Sequence, residues 1–271
     1  TVNASQRWPD LLARRLVRHR GDARIGRLAG DRHGACCRYH EPTQRYKPDV
    51  DLTLEDLMRK LMLKMSISMD GFCADSDPGG PQQWLFDTAD DESNAWEVSF
   101  LKEAGYHAMG SKTYRVMASY WPVSTDRFAD LMNTIPKVIF TRKGLGADDE
   151  TITPRAVAEA RNNPKGKAIP NDDIIRSWTH PRVAKGDLGE EIAKLKREDG
   201  KFIVAYGGAS FAQSLIELDV VDEYRFLIHP MVLGAGLPIF TKAQKLMELE
   251  LVEERRFPKG AVAHVYRRKR D

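Results

Sequence analysis

The sequence predicts an α/β domain with a mostly parallel central sheet, flanking helices and a C-terminal antiparallel hairpin, preceded by an irregular arginine-rich extension. Three observations predict it. From Leu61 onward, short apolar runs alternate with stretches of helical period, the pattern of strand–helix–strand units. Two of those runs end in glycine just where a helix opens, at Gly110 and at Gly207-Gly208. The tail holds two extended segments around Pro258-Lys259-Gly260, which reads as a hairpin.

The elements follow in order. Leu61 to Ser68 suits a buried strand, and Asp91 to Ala104 a helix with Trp96, Phe100 and Leu101 on one side and Gly105 as its stop. Tyr106 to Met109 is a brief strand, Thr113 to Ser119 a helix, and Lys137 to Thr141 another buried strand. Residues 144–178 carry Gly144, Gly146, Pro154, Pro164, Gly166 and Pro170 with little periodicity. They are expected to form a long surface insertion, with room for a short helix from Pro154 to Arg161. Asp187 can cap a helix reaching Arg197. Phe202 to Tyr206 is a strand that runs into Gly207-Gly208 and a helix through Phe211, Leu215 and Leu218. Tyr224 to Pro230 is a strand, and Leu249 to Phe257 pairs with Ala261 to Arg267.

Of 271 residues, 42% are hydrophobic and 30% charged, with a formal net charge of +3. That balance gives a chain able to bury a core and no electrostatic case for nucleic acid. The three cysteines are Cys36, Cys37 and Cys73; an adjacent pair and a lone thiol make no disulfide framework, so a reducing cytoplasmic setting is expected. No apolar run approaches the length of a membrane span. Residues 1–57 crowd arginine with few apolar clusters, one amphipathic piece from Trp8 to Val17 apart, and are expected to be poorly ordered. The working domain is expected to span 58–271, starting near Met58. His33, Cys36, Cys37 and His40 invite a zinc reading, but metal sites space paired cysteines by two to four residues, so no metal is expected.

Four segments could carry chemistry. In Phe202 to Phe211 a strand meets two glycines and a helix start, Ala209-Ser210-Phe211. Glycines admit close backbone approach and the helix start offers free N–H groups, which suits a pyrophosphate; a tight turn without ligand is the other reading. In Tyr106 to Tyr114, a strand ends at Gly110 and Ser111, Lys112 and Thr113 follow; these could bind phosphate or simply cap a helix. Thr141-Arg142 closes the strand from Lys137, at the sheet end where such folds bind ligands. Arg142 would suit the 2′-phosphate that separates NADPH from NADH. Met65 to Ala74 joins an apolar strand to the turn Asp70-Gly71.

Together, with Val221-Asp222-Glu223-Tyr224 and His229 to Gly236 following, the four segments resemble the dihydrofolate reductase-like superfamily. Within it, the chain is most similar to the reductase domain of the bifunctional riboflavin-biosynthesis deaminase-reductase and its stand-alone relatives. The resemblance implies an NADPH-dependent oxidoreductase acting on a small heterocyclic substrate, like 5-amino-6-(5-phosphoribosylamino)uracil reductase, and a homodimer. It places Ser66, Ile67, Asp70, Gly71 and Ala74 beside the nicotinamide, with Trp84 near it. Gly110, Ser111, Lys112 and Thr113 fall on the adenosine half, and Thr141 and Arg142 on the 2′-phosphate. Gly207, Gly208, Ala209, Ser210 and Phe211 fall on the pyrophosphate. Asp70 or an ordered water would supply the proton. One departure stands out: dihydrofolate reductases carry an acid on the first helix, where this chain has Asn94 between Glu92 and Glu97. A pterin reductase and a catalytically idle nucleotide-binding module are the alternatives.

Overall fold

Strand β1 (Leu61–Ser68) is buried at every position except Lys64 and Ser66, which are half-buried. In the computed structural model, which describes residues 58–77, 82–241 and 246–269, β1 lies inside an eight-stranded sheet. It pairs in parallel with β6 (Phe202–Tyr206) on one side and β7 (Glu223–His229) on the other. Beyond β6 come β3 (Ala104–Gly110), β4 (Lys137–Phe140) and the edge strand β5 (Arg182–Ala184), all parallel. Beyond β7, β10 (Val262–Arg268) and the edge strand β9 (Leu249–Arg256) run antiparallel. A separate short pair joins β2 (Phe72–Ala74) to β8 (Leu237–Pro238).

Parallel neighbours need crossovers, and helices supply them on both faces. One face of β1, with Leu61, Leu63, Met65 and Ile67, packs on α8 (Leu188–Lys196) and α9 (Ala209–Glu217) through Ile192, Leu195 and Leu215. The opposite face, with Met62 and Leu227 of β7, packs on Trp96 and Phe100 of α2 (Asp91–Leu101). Local chemistry starts these helices: Asp90 and Ser93 form a reciprocal capping box on α2, and the Asp187 side chain, the expected cap, accepts from Glu190 N on α8. Helix α3 (Ser111–Tyr120) starts at Gly110, directly after β3.

The stretch 144–178 holds the helix expected from Pro154 to Arg161 but is otherwise not the irregular insertion that its glycines and prolines suggest. It folds as α5 (Ala147–Glu150), α6 (Ile152–Asn162) and α7 (Asp172–Thr179). Pro154 sits in the first turn of α6, where its missing N–H costs nothing. Thr153, Ala156, Val157 and Ala160 give α6 a buried stripe, and the Asn171 side chain caps α7 at Ile174 N. Trp178 is fully buried, with its indole N–H donating to Asn133 Oδ1 at 2.7 Å. Two short helices, α1 (Trp84–Asp87) and α4 (Ala129–Thr134), complete the set with a 3-10 turn at Trp121–Val123. No described helix is long and apolar enough to cross a membrane. The expectations for residues 1–57, including the arginine-rich extension, the Trp8 to Val17 piece and the His33, Cys36, Cys37 and His40 group, lie outside the described residues.

Candidate functional site

The carboxyl ends of β3, β4, β6, β1 and β7 share one edge of the sheet, and the four singled-out segments all lie there. Gly110 and Gly208 each occupy the N-cap position of the helix that follows, and no side chain caps either α3 or α9. Two helix starts with free N–H groups therefore face the same edge, both favourable to anionic groups. The segments touch: Gly208 N donates to Thr113 Oγ1 at 2.6 Å, and Phe211 stacks on Phe140 at the tip of β4 with ring centroids 5.3 Å apart. The glycines keep this junction close. A Cβ on Gly208 would sit 3.3 Å from Thr113 Oγ1, one on Gly207 2.7 Å from Met65 Sδ, and one on Gly110 3.4 Å from Phe211 Cβ.

At the β4 tip, Thr141 N donates to Ala184 O and its hydroxyl to Gly144 O at 3.2 Å, closing a turn in which Gly144 has φ +80°. Arg142 and Lys112 are both exposed, without a partner among the described residues. Next to them opens a recess of about 480 Å³ lined by Arg115, Lys143, Gly144, Leu145, Gly146 and Asp149 among others. Arg115 and Asp149 form a bidentate ion pair there, at 2.5 and 3.1 Å. Ala209 is buried in the junction, and Ser210 is exposed beside it.

The β1 tip is built around Asp70. Its carboxylate accepts from Ser68 Oγ at 2.6 Å, from Leu233 N at 3.1 Å and from Gly234 N at 2.8 Å. The Ser68 hydroxyl first, then the two amides, hold the Asp70 carboxyl below its ordinary range. Gly71 takes φ +85°, and its carbonyl accepts from Ile239 N, so the whole turn is tied to the stretch after β7. Ser66 and Ile67 point to opposite faces, Ile67 into the core and Ser66 toward α2. Ala74 is buried in the β2–β8 pair, and Trp84 is buried on α1 with its ring edge-on to His229, centroids 5.3 Å apart.

Of the charged and polar groups near this edge, His229 and Glu97 enter the sequence reading only as part of the His229 to Gly236 stretch and as a flank of Asn94, and Lys64 not at all. His229 ends β7, buried, with Nδ1 2.5 Å from Thr88 Oγ1 and with Nε2 buried and unpartnered among the described residues. Burial, and then the charge of Lys64, push its pKa down to about 4. Glu97, one turn past Asn94, pairs with Lys64 of β1 at 2.8 Å. Glu92 is exposed and pairs with Arg255 at 3.9 Å. A lone histidine, lysine or glutamate gives no pattern to read; only the pairing of β1 with α2 and β7 gives these three a place.

Comparison with known proteins agrees with this geometry. The RibD C-terminal domain family matches residues 59–263. The protein YyaP of Bacillus subtilis strain 168 is 28% identical over 213 residues, covering 77% of this chain and 94% of that protein. Among solved structures, a putative riboflavin biosynthesis protein from Shewanella sp. PV-4 superposes with a TM-score of 0.57 at 17% identity, covering 78% of this chain and 99% of that one. A pyrimidine reductase-like protein from Corynebacterium diphtheriae superposes with a TM-score of 0.53 at 16% identity, over 81% and 95% of the two chains. With a parallel sheet that ends in an antiparallel pair and the match running through nearly all of it, this chain has the dihydrofolate reductase-like fold and belongs to the RibD C-terminal domain family.

Proposed function

We propose that the chain is an NADPH-dependent reductase acting on a small heterocyclic substrate of the kind met in riboflavin biosynthesis. The observation that carries this reading is the convergence of three strand tips, fastened by the bond from Gly208 N to Thr113 Oγ1. Two uncapped helix starts, glycines whose Cβ atoms would crowd the junction, and the exposed cations Lys112 and Arg142 suit a phosphorylated dinucleotide. Gly207, Gly208, Ala209, Ser210 and Phe211 would hold the pyrophosphate. Gly110, Ser111, Lys112, Thr113, Thr141 and Arg142 would hold the adenosine end, with the Arg115–Lys143 recess beside them. Ser66, Ile67, Gly71, Ala74 and Trp84 would border the nicotinamide. When bound, NADPH would supply a hydride to a C=O or C=N carbon.

The chain's own part is binding, orientation and exclusion of water. Asp70 accepts three hydrogen bonds and is held ionised, a state unsuited to proton delivery near neutral pH. It ties the β1 turn to the loop after β7, and the proton comes from water. The proposed oligomer is a homodimer through the last hairpin, where Leu251 and Val252 of β9 are exposed. The decisive experiment follows NADPH binding by fluorescence, then its absorbance while pterins, pyrimidines and small carbonyl compounds are offered. Saturable NADPH binding with oxidation by one substrate class is expected. No affinity for NADPH would overturn the reading.

A further inference from the structure

Three consecutive acids, Asp148, Asp149 and Glu150, stand in α5, and the fold treats one of them differently. Asp148 and Glu150 are exposed, whereas the Asp149 side chain keeps only 6% exposure. A carboxylate so enclosed needs donors, and it has three. Arg115 Nε and Nη2 approach its two oxygens at 2.5 and 3.1 Å, and Gly146 N donates to Oδ2 at 3.0 Å. The Gly146 bond is the N3-to-N-cap half of a capping box. The Arg115 pair instead reaches back 34 residues, to α3. The hydrogen bond from Arg115, opposed by burial and then aided by the Gly146 amide, holds the Asp149 carboxyl below its ordinary range, so the pair is ionised.

The turn from Thr141 to Gly146 is fastened at both ends. At its start, Thr141 N donates to Ala184 O at 3.1 Å and the Thr141 hydroxyl to Gly144 O at 3.2 Å. The Lys185 side chain lies across Gly144, where a Cβ would sit 3.0 Å from Lys185 Cε. At its end, the Asp149 carboxylate holds Gly146 N against Arg115. Arg142 and Lys143 are exposed in the stretch between. Lys143 and Arg115 line the same recess, so turn and helix face each other there. Arg115 stands one turn after Lys112 on α3, the helix whose Thr113 meets Gly208. One carboxylate therefore ties the β4 tip to the helix that opens at the glycine junction.

On the proposed reading that Arg142 meets the 2′-phosphate, we infer that Asp149 is a positioning residue for the phosphorylated cofactor. It acts through the turn, fixing against α3 the backbone that carries Arg142. A guanidinium on a loose turn loses part of its binding free energy to ordering the chain. One on a fastened turn keeps its fork aligned for two phosphate oxygens. A purely electrostatic role for the same carboxylate has the opposite sign. As a bare charge beside Lys143 it would repel a phosphate, so its neutralisation would tighten NADPH. Positioning predicts that neutralisation weakens it.

The test titrates the full chain with NADPH and with NADH, followed by fluorescence. Asp149→Asn keeps an oxygen for Gly146 N but turns an amide NH2 toward Arg115, donor against donor, which releases the tie to α3. NADPH affinity is expected to fall roughly tenfold, and that for NADH by less than about twofold. Introduced into Arg142→Leu, the same substitution is expected to change NADPH affinity by less than about twofold, because both losses act on one contact. Unchanged or tighter NADPH binding in Asp149→Asn overturns the inference. So does an unchanged ratio of the two cofactor affinities, or a loss that persists beyond about twofold in the Arg142→Leu background. If Asp149→Asn does not fold, Arg115→Gln, which breaks the bidentate pair from the other side, carries the same expectations and the same refutations. An Arg142→Leu variant that weakens both cofactors equally would sink the reading of Arg142 itself. A selective Arg142→Leu beside an unselective Asp149→Asn sinks the positioning role alone.

Discussion

Thr113 and Gly208, 95 residues apart, are joined by a 2.6 Å hydrogen bond in which the Gly208 amide donates to the threonine hydroxyl. That bond fixes the start of α9 against the start of α3, and so sets how far apart two uncapped helix ends stand. The glycine admits the approach, and the hydroxyl makes it specific.

Thr113→Val keeps the branched shape and removes the acceptor. The Gly208 amide then loses its partner, and because Gly208 is exposed and water can take the place of the hydroxyl, the cost is about 0.5–1.5 kcal/mol. On the proposed reading, NADPH binding weakens roughly tenfold, and Thr113→Ser restores most of it. Fluorescence titration of the three proteins measures this. Equal affinities would show that the junction does not shape the cofactor site.

Arg142 is exposed at the tip of β4 with no partner among the described residues to hold or neutralise it. A guanidinium in that state gains most from a phosphate, through paired charge-assisted bonds. Arg142→Leu is therefore expected to weaken NADPH by roughly ten- to a hundredfold while leaving NADH affinity where it was. An equal loss for both cofactors would move the 2′-phosphate elsewhere, toward Lys112 or Lys143.

Asp70→Asn separates the two roles open to that residue. As a tie between the β1 turn and residues 233–234, Asp70 has a depressed pKa in the fold. Its contribution to stability is present above the unfolded carboxylate value of about 3.9 and lost as pH falls through the lower folded value. The asparagine variant is expected to melt earlier at pH 7, with the difference shrinking in acid, and to keep the neutral-pH profile of kcat. A collapse of kcat with NADPH affinity intact would make Asp70 the proton donor instead.

These tests bear unequally on what the sequence makes legible. The strands announce themselves because a parallel sheet buried on both faces needs unbroken apolar runs, as in Phe202 to Tyr206 and Lys137 to Phe140. The junction is legible because glycines before helices leave a local signature. Within 144–178 the helix expected from Pro154 to Arg161 lies inside α6, whereas α5 and α7 are hidden by Gly146, Gly166 and Pro170, which read as breakers but sit before or between the helices. The Lys64–Glu97 pair was hidden for a different reason. It joins a strand to a helix across 33 residues, and neither charge has a local pattern. In the sequence Glu97 reads as a flank of Asn94; in the fold, one turn on, it reaches Lys64 of β1.

The buried Lys137 offers a test of the part that the sequence misjudged. Its ammonium donates to Asn133 O at 2.7 Å and Ser177 Oγ at 3.0 Å, and lies 4.5 Å from the ring centre of Trp178, so it pins α7 to β4 and α4. Burial pushes its pKa down from 10.5 to about 7. The sign follows from linkage: between those values the unfolded chain holds the proton and the folded chain has released it, so stability rises with pH across that window. One such group contributes a slope of up to about 1.4 kcal/mol per pH unit. Lys137→Met, which fills similar space without a charge, is expected to flatten the dependence of urea-unfolding stability between pH 7 and the lysine's ordinary 10.5. It also leaves the Asn133 carbonyl and the Ser177 hydroxyl one donor short, so its stability at pH 9 should fall below that of wild type. If the slope stays as steep in the variant, Lys137 keeps its proton in the fold, and the three contacts outweigh its desolvation.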